Sequence, residues 1–250
     1  MKKSILSENV LAILSAATVE SNTVTLNSGQ LDRKLYQEVN KALEALGGKW
    51  NRKAKGHVFS TDPSDKLDNA ILTGEVTPPR KNGYFPTPKN VVLQLIDLAD
   101  IKPGQDVLEP SAGQGNITTE LFHRGANVFA CELLPENRTA ILAEGMPKIT
   151  LFPEPDFMKL DSNMTFDRVV MNPPFERQQD ISHVTKAYTL LRPGGRLVSV
   201  MSAGIKFRED RKARTFRELI TSTDGRIISL PEGSFKQSGT GVNACVVILE

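Results

Sequence analysis

The sequence predicts a doubly wound, mostly parallel α/β sheet of seven strands, preceded by a small α+β module. Three observations carry this. Beyond about residue 90, runs rich in Val, Ile and Leu alternate with segments of helical spacing, the signature of a parallel sheet covered on both faces. A Pro-rich, charged stretch, residues 77–88, separates that alternation from a first part of different texture. The composition, 250 residues with 39% hydrophobic and 24% charged, is globular and sufficient for a sizeable core.

Taken in order, Met1-Lys2-Lys3 ahead of Val10–Leu14 faintly imitates a signal peptide, but Glu8 and Asn9 interrupt it and the apolar run is too short for an h-region, so it reads as an amphipathic helix. Leu31, Leu35, Val39, Leu43 and Leu46 recur at helical spacing, and Gly47-Gly48 ends that helix. Lys49 to Phe59 then reads as a basic hairpin with Trp50 and Phe59 on its two arms, and with Lys49, Arg52, Lys53 and Lys55 free of any acid between them. These features define a basic module over residues 1–76, small enough that it should pack on the larger part. Prolines at the density seen in 77–88 stop helices and interrupt sheet ladders, so this is a linker.

Beyond it the strand candidates are Asp106–Glu109, Asn127–Cys131, Ile149–Phe152, Phe166–Met171, Gly195–Met201, Arg226–Leu230 and Ala244–Leu249. The helix candidates are Lys89–Ala99, Ile117–Arg124, Glu136–Glu144, Ile181–Leu191 and Asp210–Thr221. The net charge of +2 is too even to announce a nucleic-acid binder, so any basic surface is local. No apolar run reaches the roughly 18 residues of a membrane span. Cys131 and Cys245 sit in apolar runs and read as buried hydrophobes, with no metal spacing around them or around His57, His123 and His183. No metal, no membrane partner and a cytoplasmic location are expected.

The turn after the first strand of the large part, Glu109-Pro110-Ser111-Ala112-Gly113-Gln114-Gly115, opens a helix. Glycines there let the backbone approach a ligand at the carboxyl end of the sheet. Glu109 at the strand end would repel a pyrophosphate but suits a ligand carrying a cation, such as the amino group of S-adenosylmethionine. Glu132 ends the second strand, where a carboxylate can accept both hydroxyls of a ribose. Asp156-Phe157 follows the third, an acid and an aromatic that suit an adenine. Each acid taken alone reads more readily as a solvated loop residue; three at successive strand ends read as a site.

Asn172-Pro173-Pro174-Phe175 follows a buried strand. Two prolines fix φ and remove two donors, leaving a stiff loop with carbonyls to accept. The Asn172 side-chain oxygen and the Pro173 carbonyl can hold one NH2 group, and Phe175 offers a face for a planar group. Such a site works by positioning and polarisation.

With these residues in place, the part spanning residues 83–250 resembles the Rossmann-like amino-methylating methyltransferases that use S-adenosylmethionine, most closely the N6-adenine DNA methyltransferases. Tyr84-Phe85-Pro86-Thr87-Pro88 resembles the family's cofactor segment ahead of the glycine turn, and Leu191-Arg192-Pro193-Gly194-Gly195-Arg196-Leu197 its turn into the fifth strand. The resemblance implies that Phe85, Thr87, Glu109, Ser111, Ala112, Gly113, Gly115, Glu132, Asp156, Phe157 and Asn172 contact the cofactor. It implies that Asn172, Pro173, Pro174 and Phe175 are catalytic, and that Phe235 lies behind the target base, which must leave the duplex stack to reach it.

The large recognition domain of sequence-specific members has no counterpart in this sequence, so relaxed specificity is expected. Two basic segments remain to hold phosphates: the hairpin cations, and Lys206, Arg208 and Arg211 between the fifth and sixth strands. Either reads equally as a solvated face. The expected activity is N6-adenine methylation of DNA. The alternatives are an RNA base amino group, a protein glutamine, or a non-catalytic nucleic-acid-binding protein on the same scaffold.

Overall fold

A computed structural model describes residues 5–76, 86–161, 163–238 and 242–250. The linker up to residue 85, with Tyr84 and Phe85, lies outside them.

The first part comprises helix α1 (Glu8–Ser15), strands β1 (Thr18–Glu20) and β2 (Thr23–Thr25), helix α2 (Arg33–Ala45), strands β3 (Lys49–Asn51) and β4 (Gly56–Val58), and helix α3 (Ser64–Thr73). Asp32 caps α2 by accepting the Lys34 and Leu35 N–H groups at 2.9 and 3.0 Å. The four strands form an antiparallel sheet in the order β1-β2-β4-β3, so the basic hairpin supplies its edge. After α2, Gly48 lets Phe59 close over the turn: a Cβ there would stand 2.6 Å from the ring. Neither the β1–β2 hairpin nor α3 was marked by the sequence pattern.

The large part runs α4 (Lys89–Ala99), β5 (Asp106–Glu109), α5 (Asn116–His123), β6 (Asn127–Ala130), α6 (Pro135–Ala143), β7 (Ile149–Leu151), β8 (Phe166–Met171), α7 (Gln179–Tyr188), β9 (Leu191–Ser202), α8 (Arg211–Ser222), β10 (Arg226–Ser229) and β11 (Ala244–Leu249). These strands form a seven-stranded sheet in the order β10-β11-β9-β8-β5-β6-β7. β11 runs antiparallel to both its neighbours, and the remaining pairs are parallel. The fold is thus the doubly wound α/β sheet the alternation predicts. Its strand β9 starts earlier than expected, because Leu191 already pairs with Phe166 of β8, ahead of a register shift.

Period-two alternation sorts the strands between two cores. Val107, Val128, Val170, Val198 and Val246 meet α4 and α5 on one face, while Leu108, Met171, Leu197 and Val247 meet α7 and α8 on the other. Cys131 and Cys245 are buried in the second core, and burial pushes both thiols up to about 12. Among the described residues no helix is long and apolar enough to cross a membrane, and no cluster of potential metal ligands occurs.

The two parts share structure. Leu72 of α3 belongs to the core under α4, and its carbonyl accepts the Asn243 N–H at 3.0 Å. Phe207, just before α8, packs in return on the first part's own core.

Candidate active site

The strand order reverses beside β5, with β6 on one side and β8 on the other, and in such sheets the crevice lies outside the carboxyl ends of the strands. A cavity of about 460 Å3 opens there. The ends of β5, β6, β7 and β8 all reach it, through Glu109, Glu132, Asp156 and Asn172.

The glycine turn is pinned from β6. The Ala112 N–H donates to the Cys131 carbonyl at 2.9 Å, and the Gly113 N–H to Glu132 Oε2 at 2.7 Å. Gly115 sits at φ 92° before α5, where a Cβ would press on Ile141 at 3.3 Å. Glu132 Oε1 also accepts the Leu134 N–H at 2.8 Å and the Asn137 amide at 3.3 Å, so its carboxylate is oriented before any ligand arrives. Glu109 is 1% exposed and accepts the Thr118 hydroxyl. Burial raises its carboxyl well above the ordinary range, and the nearby Glu132 adds to that.

Asp156 is fixed by accepting the Met158 N–H at 3.0 Å. Phe157 lies buried beside it, with the Lys186 ammonium 5.3 Å from its ring centre.

At the end of β8, Asn172 Nδ2 donates to Thr87 Oγ1 at 3.0 Å, which leaves Oδ1 as the accepting end of the amide. The Thr87 carbonyl accepts the Asn116 amide at 2.9 Å, so Thr87 ties the helix of the glycine turn to the Asn-Pro-Pro corner. The Ser238 hydroxyl holds the preceding Pro86 carbonyl at 2.5 Å. Pro173, Pro174 and Phe175 line the cavity, with Phe175 6% exposed.

Of the residues singled out in the sequence, Thr87, Glu109, Ser111, Ala112, Gly113, Glu132, Asp156 and Phe157 converge on this cavity with Asn172 to Phe175. Phe85 lies outside the described residues. Phe235 does not line the cavity: its ring is 1% exposed within the core under α4, because the turn before β11 folds inward. Arg208 is likewise corrected. It is 6% exposed, lies over Gly204 and acts on the carboxylates of Asp68 and Asp180, so it is not presented to a phosphate. Lys206 and Arg211 are exposed, as are Lys49, Arg52, Lys53 and Lys55 on the hairpin.

Several cavity residues escaped the sequence reading, among them two on α7. Gln179 and His183 lie one turn apart on α7 and face the site. Their signal was the i, i+4 spacing on the helix that follows the Asn-Pro-Pro-Phe corner. His183 Nδ1 lies 3.5 Å from the Ser111 hydroxyl, and burial pushes its pKa down to about 4, so the ring is neutral at physiological pH.

The sequence profile of the methyltransferase small domain matches residues 90–223. An uncharacterised methyltransferase of Bacillus cytotoxicus is 32% identical over 123 residues, 46% of this chain and 58% of that protein. The ribosomal RNA small subunit methyltransferase A of Lactobacillus acidophilus is 39% identical over 67 residues, 26% of this chain and 21% of that protein. The chain thus spans less than two thirds of either relative. Among solved structures, a modification subunit assigned to a type I restriction enzyme of Vibrio vulnificus YJ016 superposes with a TM-score of 0.57 at 18% identity, over 88% of this chain and 58% of that one. That likeness shows a shared fold.

Proposed function

Because the chain belongs to the methyltransferase small domain family, we propose that it transfers a methyl group from S-adenosylmethionine to the N6 amino group of adenine in DNA. The observation that carries this reading is the convergence of an Asn-Pro-Pro-Phe corner and three strand-end carboxylates on one cavity.

The cavity's donor set fits the cofactor. Glu109 is a buried carboxyl that accepts a neutral hydroxyl and is disfavoured as an anion where it stands, and an α-ammonium brought beside it would restore the charged form. Glu132, held by three N–H donors, would accept the hydroxyls of a ribose diol, and Asp156 with Phe157 would take the adenine. Neutral His183 and Ser111 close the same wall.

When bound, the cofactor supplies an electrophilic methyl on a sulfonium. The chain's own residues do the rest. Asn172 Oδ1 and the Pro173 carbonyl accept from the two N–H bonds of the acceptor amine, which turns its nitrogen lone pair toward the methyl. Thr87 fixes the Asn172 amide in the accepting orientation. Phe175, on the same wall, gives a planar base an aromatic face.

Support for a DNA acceptor comes from the likeness to a restriction-modification subunit over most of the chain and from the exposed cations of the hairpin, which suit phosphates without reading sequence. An RNA adenine is the second reading, favoured by the match to the ribosomal RNA methyltransferase. Methyl-labelled cofactor offered with DNA, RNA and protein decides among them. Label in N6-methyladenine of DNA, spread over many sequence contexts, is the expected result. Label confined to RNA or protein would overturn the assignment.

A further inference from the structure

The basic hairpin carries more than charge. Trp50 stands half exposed on the edge strand β3, opposite His57 of β4 in the ladder. His57 is fully buried, and its ring is fixed from α2. The Asn40 amide donates to Glu44 Oε1 at 2.9 Å, so Asn40 turns its Oδ1 to His57 Nε2, 2.8 Å away, and that nitrogen carries the proton. The indole meets this fixed imidazole edge-on, with ring centres 5.4 Å apart. One side of the tryptophan is therefore held in place while the rest is open to solvent.

The turn beside it is set as firmly. Asn51 Oδ1 accepts the Lys53 and Ala54 N–H groups at 2.9 and 3.1 Å, and Lys55 takes a left-handed φ of 50° as the chain returns into β4. Lys49, Arg52, Lys53 and Lys55 are all exposed, and among the described residues none of them forms an ion pair. Tyr36, one turn before Asn40 on α2, is the second exposed aromatic of this part. Open rings among unpaired cations, at the edge of a sheet, complement a polyanion whose bases are unstacked: the phosphates take the cations and a base takes the ring. A duplex keeps its bases stacked inside and offers the indole no face.

We propose that the β3–β4 hairpin is a docking surface for an unpaired segment of DNA, with Trp50 as the platform on which one base stacks. The inference rests on the reading of the substrate as DNA and narrows it. An unpaired strand yields an adenine without the cost of drawing it out of a duplex.

The test measures binding by the full chain, with no cofactor and no turnover. The probes are fluorescein-labelled oligonucleotides of one mixed sequence: single-stranded DNA, the same strand in a duplex, and single-stranded RNA. The parent should hold the single-stranded DNA most tightly. Trp50→Ala should weaken that binding about tenfold, the scale of one stacked base, and change duplex binding by less than about twofold. Trp50→Phe keeps a ring and should stay within about threefold of the parent, whereas Trp50→Leu keeps only apolar bulk and should lose as much as the alanine variant. Lys53→Ala combined with Lys55→Ala should weaken single-strand binding and lower its salt slope by about 1.4. Equal losses on single strand and duplex in Trp50→Ala would overturn the proposal. So would a leucine variant that binds like the parent, since the ring would then be packing and not a platform. RNA held more tightly than DNA, indifference to the two lysines, or a parent that binds no single strand would each overturn it as well. Binding is read apart from catalysis, so a chain that labels RNA or protein fails the acceptor assignment in the methylation assay, while this surface is still judged on its own affinities.

Discussion

The two walls of the cavity are built differently. The wall proposed for the cofactor is assembled locally: Glu109, the glycine turn and Glu132 are tied together within consecutive β-α-β units by backbone donors. The wall proposed for the acceptor is assembled from afar. Asn172 is held by Thr87, and the turn after Phe175 is held by Asp210 and Lys212 at the start of α8. A wall made of its own chain segment survives changes elsewhere. A wall braced by remote segments carries their state into the reaction. Binding of the donor and delivery of the methyl are therefore expected to respond separately to substitution.

The sharpest way to break this comparison is Asn172→Ala. It should lower kcat by about 100- to 1000-fold, the scale of losing one preorganised polar group, while cofactor affinity holds in titration. Equal losses of both would show that the walls are one unit.

Acid should act next. His183 is neutral in the native state with its pKa near 4 against 6.5 when free. The native protein therefore binds fewer protons than the unfolded chain between those values, and the stability present above pH 6.5 is lost as pH falls toward 4, by roughly 3 kcal/mol at most. Asp180 opposes this. Burial pushes its carboxyl up to about 6, so its own stabilising share grows as pH falls below that value. Thermal melts of His183→Gln should lose the acid sensitivity and leave the Asp180 trend exposed; an unchanged profile would remove His183 from the account.

Glu109→Gln should weaken cofactor binding by about 30-fold, roughly 2 kcal/mol of charge-assisted contact, yet leave the melting temperature at neutral pH equal or higher, because the buried anion is disfavoured in the free protein. Thr87→Val, which cuts the tie between the walls, should cost about tenfold in kcat with little effect on donor affinity. Replacing Lys53 and Lys55 together should raise KM for the polymer a few-fold and reduce the salt slope by about two phosphate contacts, with no change in the donor site. Polymer affinity indifferent to those cations would leave the hairpin a solvated edge.

How much of this was legible beforehand follows the same division. The glycine turn, Glu109, Glu132 and Asp156 could be placed because each ends a strand whose Val-rich alternation announces it. Asn172 to Phe175 stood out because two prolines after a buried strand have little other use. The bracing could not be read. Helix α3 is a short apolar stretch beside a Pro-rich segment, and it becomes helical by packing on two cores at once. Arg208 counted as a free cation because a charge run gives number and not direction; its burial against Gly204 is set by residues far along the chain from that run's pattern. Phe235 read as a loop aromatic because nothing local shows that its turn folds under the sheet.

The chain's single tryptophan, Trp50, stands 50% exposed on the edge strand β3, edge-on to His57. Its indole is the molecule's built-in optical probe. Emission excited at the red edge of absorption reports the solvent environment of that hairpin alone, so a polymer settling there would quench or shift it without any label, while filling the donor pocket would pass unseen.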